Sequence, residues 1–597
     1  MNLFVTGWNL PLSLSASAFD ALKLTAKAHP LLDIWAPWRL HRGKVFAAGI
    51  CTERALCGPR VYLAKDEDQA VFFDGLPVAS AGGFDGHDAN SLKTRWASID
   101  REVRGQFVLA RADFTAQTLE VVTDWLGMLQ VYWLSRDGWW MVSNSAGLLS
   151  QAAGVCELDP LGVGMYLTMN RPWDDRTLYK EIHVIPGGRR LLWSDDEVQI
   201  SSYHSPEHLL TKRQRRLGKF DIAALARDLA DPCVRISRHL PIRCPITGGR
   251  DSRVLTAILL KNDIPARYIT EGEPGSADVE IARLIAAQYG LDHDLVTKNS
   301  SAVLEQWDEC SNRIVRRCDG MVSIWQIADV MDSPVGVYET LLSGLGGEVA
   351  RGYYYTPLDA MTQLSVDDVV DRLAVSNYEG LVDADLTAEV ARHTREYIGH
   401  VFDMGHRGVD AIDIFYLYEP MRRWGGTNMR KAAWRSDTFI PMMDLPFIEA
   451  AFSMPARYRC CHALHKELLR VLEPRLLDVP LDRGSWPRDW PLANLLQWAG
   501  QKAVVRARLP RRRRHKWRQP VFDHEAWVNA RMEWMRNVCL SRKNSPLWQF
   551  INRPKLEELL TGSKWTANKG MMFGAFLAAT LFLFESKLST ARGFAAA

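Results

Sequence analysis

Four things are missing from this sequence, and each absence narrows what the chain can be. There is no Cys-x-x-Cys pair: the ten cysteines are scattered, and only Cys460 and Cys461 are adjacent. That argues against a zinc ribbon and a disulfide framework, and leaves free thiols in a reducing cytosol as the default. There is no apolar run of the roughly 20 residues that a membrane helix needs; the longest, residues 571–584, reads as a buried terminal helix. No basic segment followed by an apolar core opens the chain, so no secretory signal is read there and a cytoplasmic location is expected. Net charge is small, +3 over 597 residues, which gives no mandate for nucleic acid or an acidic membrane.

What remains is an ordinary globular composition, 47% hydrophobic and 24% charged, in a chain long enough for two to four domains. Twenty-two tryptophans is a high count; composition does not say whether they fill cores or line a peptide-binding surface. Up to about residue 205 short apolar runs alternate with turns, predicting strands at 45–50, 61–64, 107–110, 119–122, 131–134, 139–143 and 190–193. Helices are expected at 19–28 and at 161–168, the latter with Asp159 as cap before Pro160. A polar stretch with Lys212-Arg213-Gln214-Arg215-Arg216 reads as a solvated linker.

From about residue 220 helix and strand alternate: a helix over 222–240 broken or kinked at Pro232, a strand ending at Ile246, a helix at 253–261, a strand at 267–270, a helix at 278–289 and a strand at 294–297. That is the order of a parallel doubly wound sheet. Beyond residue 365 the pattern is mostly helical, and no internal repeat stands out. The stretch 506–518, with four consecutive arginines at 511–514, reads as a solvated loop or a contact for an acidic partner; nucleic-acid binding is disfavoured because the rest of the chain is not basic.

The most informative segment is Thr247-Gly248-Gly249-Arg250-Asp251-Ser252, between a strand and a helix. Glycines let the main chain approach a ligand, a helix N-terminus favours an anion, and Asp251 is placed to hold a divalent cation against a polyphosphate. The bare alternative is a capped strand-to-helix turn. A second segment, Ser343-Gly344-Leu345-Gly346-Gly347-Glu348, also runs from an apolar strand into glycines and a carboxylate. Alone it is a tight turn; together the two loops could converge on one Mg–ATP.

The first hexapeptide resembles the pyrophosphate loop of the ATP pyrophosphatase family, and both loops together resemble the asparagine synthetase family. Residues 439–447 (Phe-Ile-Pro-Met-Met-Asp-Leu-Pro-Phe) and 465–470 (His-Lys-Glu-Leu-Leu-Arg) resemble further segments of that family. Val103-Arg104-Gly105-Gln106-Phe107, Asp124-Trp125-Leu126-Gly127, Arg176-Thr177-Leu178-Tyr179 and Pro186-Gly187-Gly188 resemble its glutaminase-like domain. The resemblance implies an α/β chain in two parts: a glutaminase-like (Ntn-type) α+β sandwich over 1–205, a linker over 206–219, and over 220–597 an ATP pyrophosphatase domain with a doubly wound parallel sheet and a helical C-terminal part. It implies ATP and Mg2+ as ligands. Thr247, Gly248, Gly249, Asp251, Ser252, Ser343, Gly344 and Gly346 would bind the nucleotide, and Asp251 and Glu348 the metal.

The departures from that family are as informative. Its glutaminase nucleophile is a cysteine after the initiator methionine; here Asn2 stands there and cannot supply a thiolate. Cys51 is too far along the chain to act as an N-terminal nucleophile. Leu345 replaces the Glu of asparagine synthetases and the Tyr of β-lactam synthetases, and can do neither acid–base task. The family's loop lysine is absent; Arg483 is its substitute or a plain surface arginine. Lys466 is a further candidate for charge stabilisation, and Glu419 for a base, unless it is held in an ion pair with Arg422 or Arg423. This profile resembles the lasso-peptide cyclases. It implies macrolactam formation on a precursor peptide, with a leader-peptide protease and a leader-recognition protein as partners, and without nucleic acid or membrane. The alternatives are an ammonia-dependent asparagine synthetase or β-lactam-type synthetase, and a non-catalytic scaffold of the same fold.

Overall fold

The structure is a computed structural model that describes residues 2–27, 36–51, 63–66, 68–79, 88–194, 197–212, 219–297, 300–330, 339–373, 375–432, 436–482, 485–506, 524–561 and 569–595. Its N-terminal part is a sandwich of two six-stranded sheets. The first runs in the order His183–Val184, Tyr132–Arg136, Trp139–Ser143, Asn2–Trp8, Val45–Cys51, Trp38–Arg42, and its pairs are antiparallel. The second runs Glu197–Ser202, Arg189–Ser194, Thr118–Thr123, Phe107–Asp113, Gln69–Gly75, Leu63–Lys65, again antiparallel.

Strand Asn2–Trp8 is buried along its whole length, and its side chains divide by parity, as the pleat requires. Phe4 and Trp8 enter the core between the sheets with Phe72, Val121 and Trp193. Leu3 and Val5 face the other way, among residues of helices Leu12–Ala26 and Ala146–Ala153. The expected strands are present within a residue or two, except that the one at 107–110 runs on to Asp113; residues 61 and 62 of another lie outside the described part. The helix after Asp159 spans Pro160–Met169, and the Asp159 carboxylate accepts from the Gly162 amide as an N-cap.

The second part carries a five-stranded sheet in the order His293–Val296, Ala266–Glu271, Ile242–Pro245, Glu339–Leu342, Ser436–Phe439, with neighbours parallel. The chain moves outward through its first three strands, then returns to lay the fourth beside the first. The order therefore reverses between Ile242–Pro245 and Glu339–Leu342, and such a reversal opens a crevice at the carboxyl ends of the two strands. The fold class expected from the sequence is the observed one. The linker expectation is only partly described: Pro206–Lys212 is a 3-10 helix with Leu209 buried, and 213–218 lie outside the described residues. So do nearly all of 506–518. Lys569–Ala595 is one helix whose residues 575–584 are buried against the first sheet's helices. Among the described residues, no helix is long and apolar enough to cross a membrane.

Helix Lys219–Ser237 continues through Pro232, so of the break or kink expected there the break does not occur. Proline lacks the N–H that would bond the carbonyl four residues back. That carbonyl, of Asp228, instead accepts from the Arg104 guanidinium of the sandwich at 3.0 Å. Arg104 also pairs with Asp444, whose other oxygen caps the following helix at the Leu445 amide. Gln106 exchanges two bonds with the Ile440 backbone, and Trp125 Nε1 donates to the Met443 carbonyl at 3.0 Å. Residues 440–444 are thus clamped to the sandwich. Arg104→Ala should cost about 3–5 kcal/mol by leaving the buried Asp444 carboxylate unpaired, and adding Asp444→Asn should recover part of it. Denaturant titration of the single and double variants checks this.

Candidate active site

The loop at residues 246–250 leaves the first strand of the parallel sheet and enters helix Asp251–Lys261. Thr247 organises it: its hydroxyl contacts Ser252 Oγ at 2.9 Å and accepts from the Gly249 amide at 3.0 Å. The Gly248 amide donates to Asp278 at 2.9 Å, and the Asp482 amide donates back to the Gly248 carbonyl. A side chain at Gly248 would collide with Asp482 and Ile281. Arg253, fully buried, spends its guanidinium on the carbonyls of Gly248, Gly249, Leu476, Val479 and Pro480. It ties the loop to the segment that ends at Asp482. The helix itself starts without a side-chain cap, because its N-cap residue is Arg250, which has no acceptor to offer. Its first amides are oriented for an incoming anion.

The second glycine segment leaves the neighbouring strand, Glu339–Leu342. Gly346 has φ +91°, and a side chain there would strike Met443; one on Gly347 would run into Asp251 Oδ1. Gly344 packs against Asp251 and the Ser252 amide. The glycines are therefore what lets the two loops close on each other. Glu348 Oε2 accepts from the Gly346 amide at 2.9 Å.

The closure brings Asp251 and Glu348 together through a cation. Arg351 reaches Asp251 Oδ2 at 3.1 Å and Glu348 Oε1 at 3.1 Å with the same nitrogen. Asp251 Oδ1 contacts His465 Nε2 at 2.7 Å. Burial works to raise the Asp251 pKa, but the His465 hydrogen bond and the charges of His465, Arg351 and Arg250 outweigh it and hold the carboxyl below its usual range. His462 lies a turn before His465, with its Nδ1 buried and unpartnered; burial, and then the charge of Arg250, keep this imidazole far below its ordinary pKa and neutral. Arg250 lies 5.9 Å over the Trp486 ring.

These partners were not singled out from the sequence. His465 stands inside a quoted segment and Arg351 three residues past one, but only the fold places them on Asp251. Lys466, next to His465, points elsewhere: it donates to the Pro487 carbonyl at 2.9 Å and pairs with Asp489. Ser343 Oγ accepts from the Leu345 amide at 3.3 Å, and the Leu345 side chain packs partly buried against the core. Glu419 is buried at the junction of the two parts and accepts from the Asp174 amide (2.7 Å), Tyr397 Oη (3.0 Å) and Arg422 (3.3 Å). Burial, opposed by Arg422, raises its pKa. Arg483 lies outside the described residues.

Magnesium fits this carboxylate pair. A cationic guanidinium already sits between Asp251 and Glu348, so the pair is built to hold positive charge. Among the described residues no group of three or more His, Cys, Asp and Glu is arranged to hold a metal. Mg2+ bound through phosphates and water needs only one or two carboxylates.

In the sandwich, Asn2 opens the first strand. Its amide donates to Asp74 at 3.1 Å, its side chain donates to the Phe73 carbonyl, and Asn144 bonds both the Asn2 carbonyl (2.8 Å) and Asp74 (3.0 Å). Strand register sets Cys51 directly across from Asn2, so separation in sequence does not keep that thiol away. What Cys51 lacks is an α-amine of its own to act as base.

Comparison with known proteins agrees with the geometry of the second part. Residues 227–480 match the asparagine synthase family model. The match spans less than half of the chain. Among curated proteins no relative matches. Two solved structures are similar over 49% of this chain and 65% of their own: the allosteric regulatory enzyme of purine biosynthesis (10% identity, TM-score 0.24) and glutamine phosphoribosylpyrophosphate amidotransferase from B. subtilis in complex with ADP and GMP (9% identity, TM-score 0.24).

Gly347→Ala should displace the Asp251 carboxylate and abolish the rise in melting temperature on adding Mg–ATP, with an unchanged circular-dichroism spectrum. Because the Asp251 pKa is depressed, its stabilising contribution is present above pH 3.8 and is lost as pH falls through its folded value. His465→Asn should bring that loss to higher pH, seen as an earlier acid-side fall in melting temperature.

Proposed function

We propose that this chain is an ATP-dependent peptide macrolactam synthetase. An Asp or Glu side-chain carboxylate of a precursor peptide attacks the α-phosphorus of ATP, giving an acyl adenylate and pyrophosphate. The peptide's own N-terminal amine then attacks the acyl carbon; AMP leaves, the amine gives up a proton, and an isopeptide ring closes. The observation that carries the adenylation step is the Asp251–Arg351–Glu348 arrangement at the sheet's reversal point. Thr247, Gly248, Gly249 and Ser252 would hold the β- and γ-phosphates, and Ser343, Gly344 and Gly346 the face of the second loop. Asp251 and Glu348 would hold Mg2+, which neutralises phosphate charge.

Two features favour an intramolecular amine over ammonia from glutamine. The Asn2–Asp74–Asn144 cluster consists of amides and a carboxylate, and Leu345 brings an apolar side chain to the variable position of the second loop. A tethered amine gains the effective molarity of an intramolecular reaction, about 7–11 kcal/mol at best. A leader-peptide protease and a leader-recognition protein of the same pathway, in the cytoplasm, complete the proposal. An ammonia-dependent asparagine synthetase is the second reading, favoured by the intact first loop alone.

The test is pyrophosphate exchange into ATP with candidate carboxylate peptides, followed by mass spectrometry. The expected result is exchange together with a product lighter by one water. Asp251→Ala should lower exchange by at least 100-fold. Exchange with aspartate and ammonia-dependent asparagine formation, without a peptide product, would decide for the second reading; undiminished exchange in Asp251→Ala would remove the site assignment.

A further inference from the structure

The C-terminal helix Lys569–Ala595 does not close completely on its neighbours. Between it, helices Leu12–Ala26 and Ala146–Ala153, and the end of helix Trp307–Arg317 lies a cavity of about 750 Å³. That is the size of a small-molecule site. No residue of the two glycine loops lines it. Each long helix gives it one face: Leu14, Ala21 and Leu24 recur at helical spacing on the first, and Phe584, Lys587 and Leu588 on the last. Leu24 is 43% exposed, so this apolar wall is partly uncovered.

The charges in the wall do not balance. Asp319 is satisfied, because it accepts from Ser145 Oγ and from the Ala146 and Gly147 amides and pairs with Arg430 at 3.1 Å. Asp20 pairs with Lys23. Burial keeps the Tyr179 phenol neutral. Two cations remain among the lining residues, Lys587 and Arg316. Lys587 Nζ donates to the Asn312 carbonyl at 2.8 Å. Asn312 lies one helical turn before Arg316, so the amine sits on the Arg316 side of helix Trp307–Arg317. Among the described residues Arg316 enters no ion pair. Burial, and then the charge of Arg316, bring the Lys587 pKa down to about 7. Two like charges are thus crowded where these helices pack, in a cavity whose other charges are neutralised. An anion there relieves the repulsion and favours the protonated amine.

We propose that this cavity binds a small amphiphilic carboxylate, its head against Lys587 and Arg316 and its apolar body along Phe584, Leu588, Leu14 and Leu24. Two neighbouring cations match the two oxygens of a carboxylate, and the leucines and Phe584 match a hydrocarbon body. Such a ligand joins the first helix of the sandwich to the C-terminal helix. The site is separate from the Asp251–Glu348 pair and does not rest on the adenylation reading.

The test is calorimetric titration of the full-length chain with octanoate at about pH 8 and constant ionic strength, in two buffers of different ionisation enthalpy. Octanol and acetate are the comparisons. Octanoate is expected to bind at least tenfold more tightly than either. Its binding should take up protons, at most one per chain. Of the groups facing the cavity, Asp20 and Asp319 are paired, Tyr179 stays neutral and Arg316 stays charged, which leaves Lys587 to gain the proton. Lys587→Gln should weaken octanoate at least tenfold and abolish the uptake. Leu24→Glu, a change at an exposed side chain, should also weaken it at least tenfold. Circular dichroism checks that both variants are folded, and the readouts on wild type stand even if Lys587→Gln is not. No binding by wild type, equal affinity for octanol or acetate, binding without proton uptake, or undiminished binding in folded Lys587→Gln or Leu24→Glu would each overturn the proposal.

Discussion

The second part of the molecule is organised around one ionic bridge, Asp251–Arg351–Glu348. Two carboxylates from loops that leave adjacent parallel strands repel each other unless a cation stands between them. Arg351 supplies that cation from within, and His465 occupies the remaining side of Asp251. The glycines follow from this. Gly347 leaves room for the Asp251 carboxylate, Gly344 lets the second loop lie on the start of helix Asp251–Lys261, and Gly346 takes a conformation that L side chains avoid. Mg2+ entering with a polyphosphate would replace Arg351 between the carboxylates, because both carry the same sign of charge to the same place.

The N-terminal sandwich is more than an appendage to this site. It grips residues 440–444 through Arg104, Gln106 and Trp125, and Met442 and Met443 of that segment back the second glycine loop. Pro232 takes part by a missing bond: it frees the Asp228 carbonyl for Arg104 without breaking its helix. The sandwich therefore buttresses the loop that carries Glu348.

Much of this was legible in the sequence because local signals agreed with the fold. The β–α–β spacing, the Asp159 cap and the two glycine loops each have a short-range physical cause. The strand Asn2–Trp8 was not legible: buried on both faces, it shows no alternation between apolar and polar residues. Nor could spacing reveal that Asp251 would meet His465, 214 residues away, or Arg351, 100 residues away. Lys466 and Glu419 were picked by residue type, and tertiary contacts decide where they point: Lys466 to Asp489, Glu419 into the junction beside Arg422.

The central claim is that Asp251 and Glu348 share one divalent cation delivered with ATP. Mn2+ in place of Mg2+ makes that cation visible by electron paramagnetic resonance. The account predicts one tightly bound Mn2+ per chain when ATP is present, and loss of that site in Glu348→Gln. One Mn2+ bound equally well by Glu348→Gln in the presence of ATP would contradict it.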